Sequence, residues 1–180
     1  PTDTGTDNVY EVQITATDGG GLSDVETVSV TVVNVNEAPV ITTTAFGSIA
    51  ENQTAIGTLA ATDVDASDTV AFTITGGDDQ GKFTVSGSTL AFNFSPDFEI
   101  PTDVGTNNVY EVQITATDGA GLTDVETVSV TVVNANEAPT ITASATYSVA
   151  ENTTAVGNIT GTDIDSGDAA SLTFTLSGVD

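Results

Sequence analysis

The sequence predicts an all-β chain built from tandem Greek-key β-sandwich domains of about seven strands each. Three observations predict this fold class. The chain has 23 Val, 10 Ile and 34 Thr among its 180 residues, and β-branched side chains favour pleated sheets. Apolar and polar residues alternate with a period of two, without a helical stripe. Turn-forming residues separate these stretches at intervals of about 8–12 residues.

The chain also repeats itself at a spacing of 100 residues. When residues 101–180 are laid over 1–80, 39 of the first fifty positions and 11 of the next thirty are identical. Solenoid repeats run about 20–50 residues, so this period fits whole domains with cores of their own. The sequence therefore predicts an array of domains.

The seams between the repeats are predicted at two prolines. Pro39 and Pro139 each follow Asn-x-Asn-Glu-Ala, and the residue before a proline favours an extended entry into a new strand. We therefore predict that 1–37 is the C-terminal part of one repeat, 38–137 is a complete repeat and 138–180 is the N-terminal part of the next. Neither end piece can close a core alone, so each needs its missing half or a partner chain. Because the segment begins without Met, we expect it to be a piece of a longer chain.

Each strand of the complete repeat follows from the local pattern. In the strand predicted at 109–117, Tyr110, Val112 and Ile114 face one side, while Glu111 and Gln113 face the other. The remaining predicted strands are 40–45, 56–62, 70–75, 83–85, 90–94 and 127–132. The turn Ser86-Gly87-Ser88 predicts a hairpin of 83–85 and 90–94, and the turn Asp118-Gly119-Ala120-Gly121 predicts a hairpin of 109–117 and 127–132. Seven short strands with such turns indicate an immunoglobulin-like sandwich.

The composition excludes several kinds of function. The chain carries 26 acidic residues against one basic residue, a net charge of −25, and it has no His, Cys, Met or Trp. Disulfides, thiolate or imidazole metal sites and chemistry that depends on a Cys or His are excluded. A chain without basic patches cannot neutralise nucleic acid, and no apolar run is long enough for a membrane helix. The remaining counter-ion is a hard cation.

The acids of the complete repeat are grouped at a few positions. In chain order these positions are Glu51, Asp63/Asp65, Asp97/Glu99, Asp118 and the seam residues Asn134/Asn136/Glu137. Their order resembles the calcium-site motifs of cadherin repeats, and the whole chain is similar to the cadherin-like arrays of bacterial surface and secreted proteins. In that family calcium lies between consecutive repeats, so the resemblance implies Ca²⁺ as the cofactor and neighbouring repeats of the same longer chain as partners.

The resemblance also implies the ligands at each seam. The second seam, 134–139, would use Glu51, Asp97, Glu99, Asn134, Asn136, Glu137, Asp163 and Asp165. The first seam, 34–39, would use Asn34, Asn36, Glu37, Asp63, Asp65 and Asp118, and Asp18 would belong to an earlier seam. The linkers depart from the family's Asp-x-Asn-Asp-Asn-x-Pro: they are one residue shorter and replace its first Asp with Asn and its second with Glu. This departure leaves the number of ions at each seam open.

Calcium chemistry supports this interpretation from the residues alone. Ca²⁺ takes six to eight oxygen ligands from carboxylates, amides and carbonyls, whereas Mg²⁺ keeps its waters and requires a tight octahedron. The second seam offers six carboxylates: Glu51, Asp97, Glu99, Glu137, Asp163 and Asp165. Without cations these would repel one another or take up protons.

The leading functional hypothesis is a calcium-rigidified stalk segment of an extracellular adhesin or surface fibre. The alternative is a self-assembling repeat module that pairs with identical chains in a filament or sheath. Glycan binding is a third hypothesis, for which only Phe46, Tyr147 and Phe98 are candidate platform residues. Acid pairs that recur once in every repeat are unlike the single tuned site of an enzyme, so no catalytic residues are predicted. We expect a secreted or cell-surface location without membrane insertion.

Overall fold

The structure is a computed structural model that describes residues 5–65 and 68–178. The chain forms two compact units, Pro1–Glu37 and Ala38–Asp180. The described residues contain thirteen strands and no α-helix: β1 Val9–Thr17, β2 Ser23–Thr31, β3 Val40–Ile41, β4 Ala45–Ala50, β5 Ala55–Thr58, β6 Ala61–Thr62, β7 Ala71–Gly76, β8 Phe83–Ser86, β9 Thr89–Phe92, β10 Val109–Thr117, β11 Thr123–Val133, β12 Thr140–Ile141 and β13 Gly161–Thr162. The predicted all-β class is confirmed.

The first unit is a single antiparallel hairpin of β1 and β2. Its register runs from Val9↔Thr31 to Thr17↔Ser23, and Gly21 takes the positive φ of 90° that its turn requires. The hairpin of β10 and β11 has the same register 100 residues later. The two hairpins are therefore structural copies of each other.

The second unit contains a β-sandwich of immunoglobulin-like build. One sheet has four strands in the order β4-β11-β10-β7, and the other has three in the order β5-β9-β8. Strand β4 runs parallel to β11, and all the other neighbours are antiparallel. Short strands β3 and β6 form a separate pair. Each of the first two predicted strands, 40–45 and 56–62, corresponds to two shorter strands, β3 and β4 for the first and β5 and β6 for the second. Strand β3 pairs with β6, whereas β4 belongs to the four-stranded sheet and β5 to the three-stranded sheet.

The core lies between the two sheets. It consists of Ile41, Leu59, Phe83, Leu90, Phe92, Tyr110, Val112, Ile114, Ala116, Val128, Val130 and Val132. The Tyr110 ring packs edge-on against Phe92 at a centroid distance of 5.2 Å. The Tyr110 hydroxyl accepts a hydrogen bond of 3.2 Å from the Thr102 N–H, and such a bond from an early tyrosine of this strand to upstream backbone is typical of immunoglobulin-like sandwiches.

The segment 138–178 keeps few of the strands of the repeat that it copies. Strands β12 and β13 pair with each other as β3 and β6 do. Residues 145–150, 155–158 and 171–176, which correspond to β4, β5 and β7, form no strand. Strands β4, β5 and β7 all pair with later strands of their own repeat, so the lost strands are those with distant partners. Within the described residues, no helix is long and apolar enough to span a membrane.

Candidate metal centres

Glu51 organises the first of two acidic clusters. It follows β4 directly and is 2% exposed. Its Oε2 accepts a hydrogen bond of 2.8 Å from the Phe98 N–H, and its Oε1 accepts one of 2.9 Å from the Ala135 N–H. Glu51 thereby fixes both the 97–99 loop and the linker after β11.

Glu99 and Glu137 lie beside Glu51. One carboxylate oxygen from each of the three residues lies within 4.8 Å of the others. We call these three residues the seam cluster. The second oxygens of Glu99 and Glu137 are buried and have no hydrogen-bond partner. A desolvated carboxylate oxygen without a donor is costly, and a cation placed between the three groups would remove that cost.

Asp165 brings the following segment to the same place. It is 6% exposed and accepts hydrogen bonds from the Asn134 side chain (2.8 Å) and the Glu137 N–H (2.8 Å). The Asn134 amide nitrogen also donates to Glu99 Oε1 at 2.9 Å. In this arrangement the nitrogen of Asn134 faces the carboxylates, so the predicted role of Asn134 as an oxygen ligand requires its amide to rotate.

The remaining predicted ligands of this seam make local hydrogen bonds. The Asp163 side chain accepts a 3.0 Å hydrogen bond from the Asp165 N–H, which shapes the Asp-x-Asp turn. Asp97 accepts a 2.9 Å bond from the Ile100 N–H. Exposed Asn136 donates its side-chain amide to the Glu137 carbonyl at 3.0 Å. None of these three residues belongs to the three-acid groups found among the described residues.

The seam cluster raises the pKa values of two of its members. Burial is the largest cause for Glu99, and the charges of Glu51, Asp165 and Asp97 raise its pKa further, against a lowering backbone hydrogen bond. Burial also comes first in raising the pKa of Glu137, followed by the charges of Glu51, Asp165 and Glu99. Both pKa values are therefore raised first by burial and then by the like charges that lie close by.

A second cluster, which we call the loop cluster, contains Asp63, Asp68 and Asp118. One oxygen from each lies within 4.8 Å of the others. Asp118 is 7% exposed, and its Oδ1 accepts hydrogen bonds from the N–H groups of Ala120 (2.9 Å) and Leu122 (2.8 Å). The Oδ2 atoms of Asp63 and Asp68 are buried without a partner.

Asp68 is a member of this cluster that the sequence analysis missed. Its pKa is raised, first by burial and then by the charges of Asp118, Asp63 and Asp65. The signal that could have found it is the recurrence of Asp68 as Asp168, three residues after Asp65 and Asp165 respectively. Predicted Asp65 lies in the same turn, where its N–H donates to Asp63 Oδ1 at 2.9 Å.

Four of the predicted ligands, Asp18, Asn34, Asn36 and Glu37, lie in the first unit. Asp18 is exposed, and N–H groups of Leu22, Gly20 and Gly21 lower its pKa, with Leu22 contributing most. It belongs to none of the three-acid groups among the described residues. The Asn36 side chain donates to the Glu37 carbonyl at 3.0 Å. Asn34, Asn36 and Glu37 lie in the linker at the end of the first unit, and their role as ligands stays a prediction.

Two further acids are buried for structural reasons. Asp103 is 3% exposed, and its two oxygens accept hydrogen bonds of 2.9 and 3.0 Å from the N–H groups of Asn107 and Asn108. Asp79 is 5% exposed and accepts bonds from the N–H groups of Val104 (2.8 Å) and Glu111 (2.9 Å). Because every oxygen of these two acids has a donor, neither needs a cation.

Of the three aromatic residues that are candidates for glycan binding, two are partly buried and Tyr147 is 38% exposed. Phe46 and Phe98 pack against the core. The ring of Tyr147 lies so close to Gly157 that an added Cβ would collide with it, and the Tyr147 hydroxyl donates to the Asn158 carbonyl at 2.8 Å.

Comparisons with known proteins agree with the fold. The bacterial Ig domain family matches residues 36–131. Human protocadherin Fat 1 is 31% identical over 185 aligned positions, and the alignment covers 94% of this chain and 4% of that protein. The mouse cadherin EGF LAG seven-pass G-type receptor 1 is 27% identical over 179 aligned positions, and the alignment covers 93% of this chain and 6% of that protein. The chain thus spans only a small part of these curated relatives.

Solved structures show the same likeness. The protocadherin gamma B7 extracellular cadherin domains 1–4 match with a TM-score of 0.59 at 21% identity, covering 93% of this chain and 43% of that chain. The protocadherin gamma B2 extracellular cadherin domains 3–6 match with a TM-score of 0.59 at 21% identity, covering 93% and 45%. The fold of this chain is that of cadherin repeats.

Proposed function

Since this chain belongs to the family of bacterial Ig domains and has the fold of cadherin repeats, we propose that it is a calcium-rigidified stalk segment of an extracellular adhesin or surface fibre. Ca²⁺ ions bind at the seams and bridge consecutive repeats. Each bridge converts a flexible linker into a stiff joint, so that the array extends as a rod.

One observation carries this proposal. Four carboxylate oxygens, one each from Glu99, Glu137, Asp63 and Asp68, are buried without a hydrogen-bond partner. They fall in pairs into the seam cluster and the loop cluster. Buried charges are tolerated where they are paired or coordinate a metal. The structural acids Asp79 and Asp103, in contrast, have donors on both oxygens.

The chemistry of the donors selects the cation. Both clusters offer only oxygens, since the chain has no His and no Cys. Hard cations prefer such donors, and Ca²⁺ accepts a flexible arrangement of six to eight of them. Mg²⁺ requires a stricter octahedron and keeps several waters. The residues present therefore fit Ca²⁺ better, and Glu51, Glu99, Glu137 and Asp165 are the residues proposed to hold it at the second seam.

The positions of these residues in the chain explain the stiffening. Glu51 and Glu99 belong to the complete repeat, Glu137 to the linker and Asp165 to the segment that follows. A cation shared by these groups ties the linker to the domains on both of its sides. Bound ions therefore reduce the conformational entropy of the joint and stabilise the folded array. Extracellular modules hold Ca²⁺ with dissociation constants of about 10⁻⁴–10⁻³ M, a range suited to a secreted or cell-surface location.

The test is a calcium titration of the chain and of two variants, each of which removes one negative charge. Glu99→Gln removes a carboxylate of the seam cluster but keeps an oxygen to accept the bond from Asn134. Glu111→Gln is the matched control, because Glu111 is exposed on β10. We measure thermal unfolding in EDTA, Ca²⁺ and Mg²⁺, together with small-angle scattering at each condition.

Opposite effects of Glu99→Gln with and without calcium are the expected result. In EDTA this variant melts above the unmodified chain, because one of three crowded charges is gone. In Ca²⁺ it melts below the unmodified chain and binds calcium about tenfold or more weakly, in line with the sensitivity of metal sites to their ligand shell. Glu111→Gln has the melting temperature of the unmodified chain both in EDTA and in Ca²⁺. A chain whose melting temperature and particle length do not respond to Ca²⁺ would refute the proposal.

A second candidate function is self-assembly of identical chains into a filament or sheath. The observation in its favour is the open apolar face of the hairpin β1–β2, where Val12 and Ile14 are 51% and 53% exposed. Such a face on an unpaired sheet is a ready site for another chain.

A further inference from the structure

Asn52 follows Glu51 directly and has a backbone conformation that few residues adopt. Its φ is positive, at 62°, in the left-handed region that Gly enters freely and Asn and Asp enter occasionally. Its N–H donates to the Pro96 carbonyl at 2.9 Å, and its side-chain amide donates to Glu137 Oε1 at 3.0 Å. Asn52 is therefore bonded both to the loop that leads to Glu99 and to the linker, the two segments that carry the other acids of the seam cluster.

Glu51 and Asn52 together hold every second residue of the linker. The Glu51 N–H donates to the Val133 carbonyl at 2.9 Å, and Glu51 Oε1 accepts a bond from the Ala135 N–H at 2.9 Å. These two bonds fix the path of the linker backbone. The bond from Asn52 is different, because it acts on a carboxylate of the seam cluster, that of Glu137.

The bond from Asn52 determines how the Glu137 carboxylate is turned. The last torsion of a Glu side chain is broad and has no sharply preferred value, so the direction of its two oxygens depends on their partners. Oε1 accepts the bond from Asn52, and Oε2 is buried without a hydrogen-bond partner. A cation at the seam cluster would therefore meet a carboxylate whose orientation is already set.

From this geometry we infer that Asn52 is a positioning residue of the calcium site at the second seam, and that it acts by orienting Glu137. The inference rests on the proposed function and deepens it. Gly could form the same backbone, but Gly has no amide to donate. The pair recurs as Glu151 and Asn152, where the φ of Asn152 is 67°, so the left-handed Asn after this Glu is a regular feature of the repeat.

Metal sites depend on the groups that orient their ligands. A ligand that becomes ordered only when the ion binds loses conformational entropy in that step. Loss of a hydrogen-bond partner of a ligand typically weakens metal binding about 10- to 100-fold. Because Asn52 is exposed to solvent, we expect an effect at the lower end of that range.

The test is a calcium titration of the 180-residue chain followed by NMR, which reports on the two acidic clusters separately. The Ala135 N–H is bonded to Glu51 Oε1, so its signal reports on the seam cluster. The Ala120 N–H is bonded to Asp118 Oδ1, so its signal reports on the loop cluster. One titration therefore gives a dissociation constant at each cluster, and the loop cluster is an internal control.

Two variants make the same change at the two copies of the Asn. Asn52→Gly removes the side-chain amide but keeps the left-handed backbone and the N–H that donates to Pro96. Asn152→Gly is the matched control, because Asn152 has the same conformation. The acid before it, Glu151, belongs to neither of the three-acid groups among the described residues.

We expect Asn52→Gly to weaken calcium binding about tenfold at the Ala135 signal and to leave binding at the Ala120 signal unchanged. Asn152→Gly should bind calcium as the unmodified chain does at both signals. An unchanged dissociation constant at Ala135 in Asn52→Gly would overturn the inference. Equal weakening at both signals would do so too, because it would show a general loss of structure.

A double-mutant cycle separates a positioning role from a merely structural one. Glu137→Ala removes the carboxylate that Asn52 orients, while the other acids of the seam cluster remain. If Asn52 acts through Glu137, adding Asn52→Gly to Glu137→Ala changes the dissociation constant at Ala135 less than about twofold. A further tenfold loss in the double variant would contradict the inference, because it would show that Asn52 acts independently of Glu137.

The same titration distinguishes failure of this inference from failure of the proposed function. A calcium-dependent shift of the Ala135 signal that Asn52→Gly does not weaken retains the calcium site and rejects the role of Asn52. An Ala135 signal of the unmodified chain that does not respond to millimolar Ca²⁺ rejects the proposed function, and this inference with it.

Discussion

Ile114 and Ile14 offer a direct comparison of one side chain in two environments. They occupy the same place in the identical segment Asn-Val-Tyr-Glu-Val-Gln-Ile-Thr-Ala-Thr-Asp-Gly, but Ile114 is 0% exposed and Ile14 is 53% exposed. We therefore compare Ile114→Ala with Ile14→Ala. Local strand propensity changes equally in the two variants, so any difference between them reports on packing.

The expected losses follow from burial. Replacing Ile by Ala removes three methyl or methylene groups, each worth about 0.8 kcal/mol when fully buried. At Ile114 this gives about 2.4 kcal/mol, and the cavity left in a packed core raises the loss to about 3 kcal/mol, inside the usual range of about 2–5 kcal/mol. At Ile14 about half of the transfer term applies and no closed cavity forms, so the loss is about 1 kcal/mol or less.

The assay is urea unfolding in Ca²⁺, monitored by far-UV circular dichroism and tyrosine fluorescence at low micromolar concentration. Ile114→Ala should lower the midpoint of the main transition without changing its slope, as a pure loss of stability does. Ile14→Ala should leave that transition in place, because Ile14 lies in the first unit and outside the core. Equal losses of about 3 kcal/mol in dilute solution would refute the reasoning, because they would show that both hairpins are covered in the single chain.

Two further predictions concern the acids. Because the pKa values of Glu99 and Glu137 are raised, these two groups bind protons more tightly in the folded chain than in the unfolded chain. In EDTA their contribution to stability is therefore fully present below the ordinary Glu pKa of 4.5. It is lost as the pH rises through the raised pKa values. Melting temperatures at pH 5 and pH 7 should therefore fall with pH in EDTA and rise in Ca²⁺, where protons compete with the cation; the same slope in both buffers would contradict this. Asp103→Ala should cost about 2–4 kcal/mol with or without Ca²⁺, because two backbone N–H groups lose their acceptor. A loss seen by urea unfolding only in Ca²⁺ would instead make Asp103 part of a metal site.

Much of the fold was predictable because it is encoded locally. The alternation in 109–117 and the Asp-Gly turn fix a hairpin whose register depends on adjacent residues, and the hairpin appears with the same register in both copies. The division of the first two predicted strands was not predictable in this way. It depends on β3 pairing with β6 while β4 crosses to β11, and those pairings join residues far apart in the sequence.

The candidate sites were partly predictable for a similar reason. The periodic motifs indicated Glu51, Glu99 and Glu137, which the fold brings within 4.8 Å of one another. Composition and order could not distinguish Asp68, whose buried Oδ2 lacks a partner, from Asp103, whose two oxygens are both satisfied. That distinction depends on which backbone N–H groups point at each carboxylate, and only the three-dimensional structure reveals it.

The unpartnered carboxylate oxygens and the exposed apolar face of β1–β2 require different kinds of partner. The unpartnered carboxylate oxygens of the two clusters can be satisfied by a small ion, because each needs only positive charge at short range. The exposed apolar face of β1–β2 would instead be covered by a surface with matching apolar side chains, which no ion supplies. In the proposed function, calcium governs the stiffness of the joints, whereas any association of chains depends on apolar surface. Varying calcium and protein concentration independently should change particle length and particle mass independently.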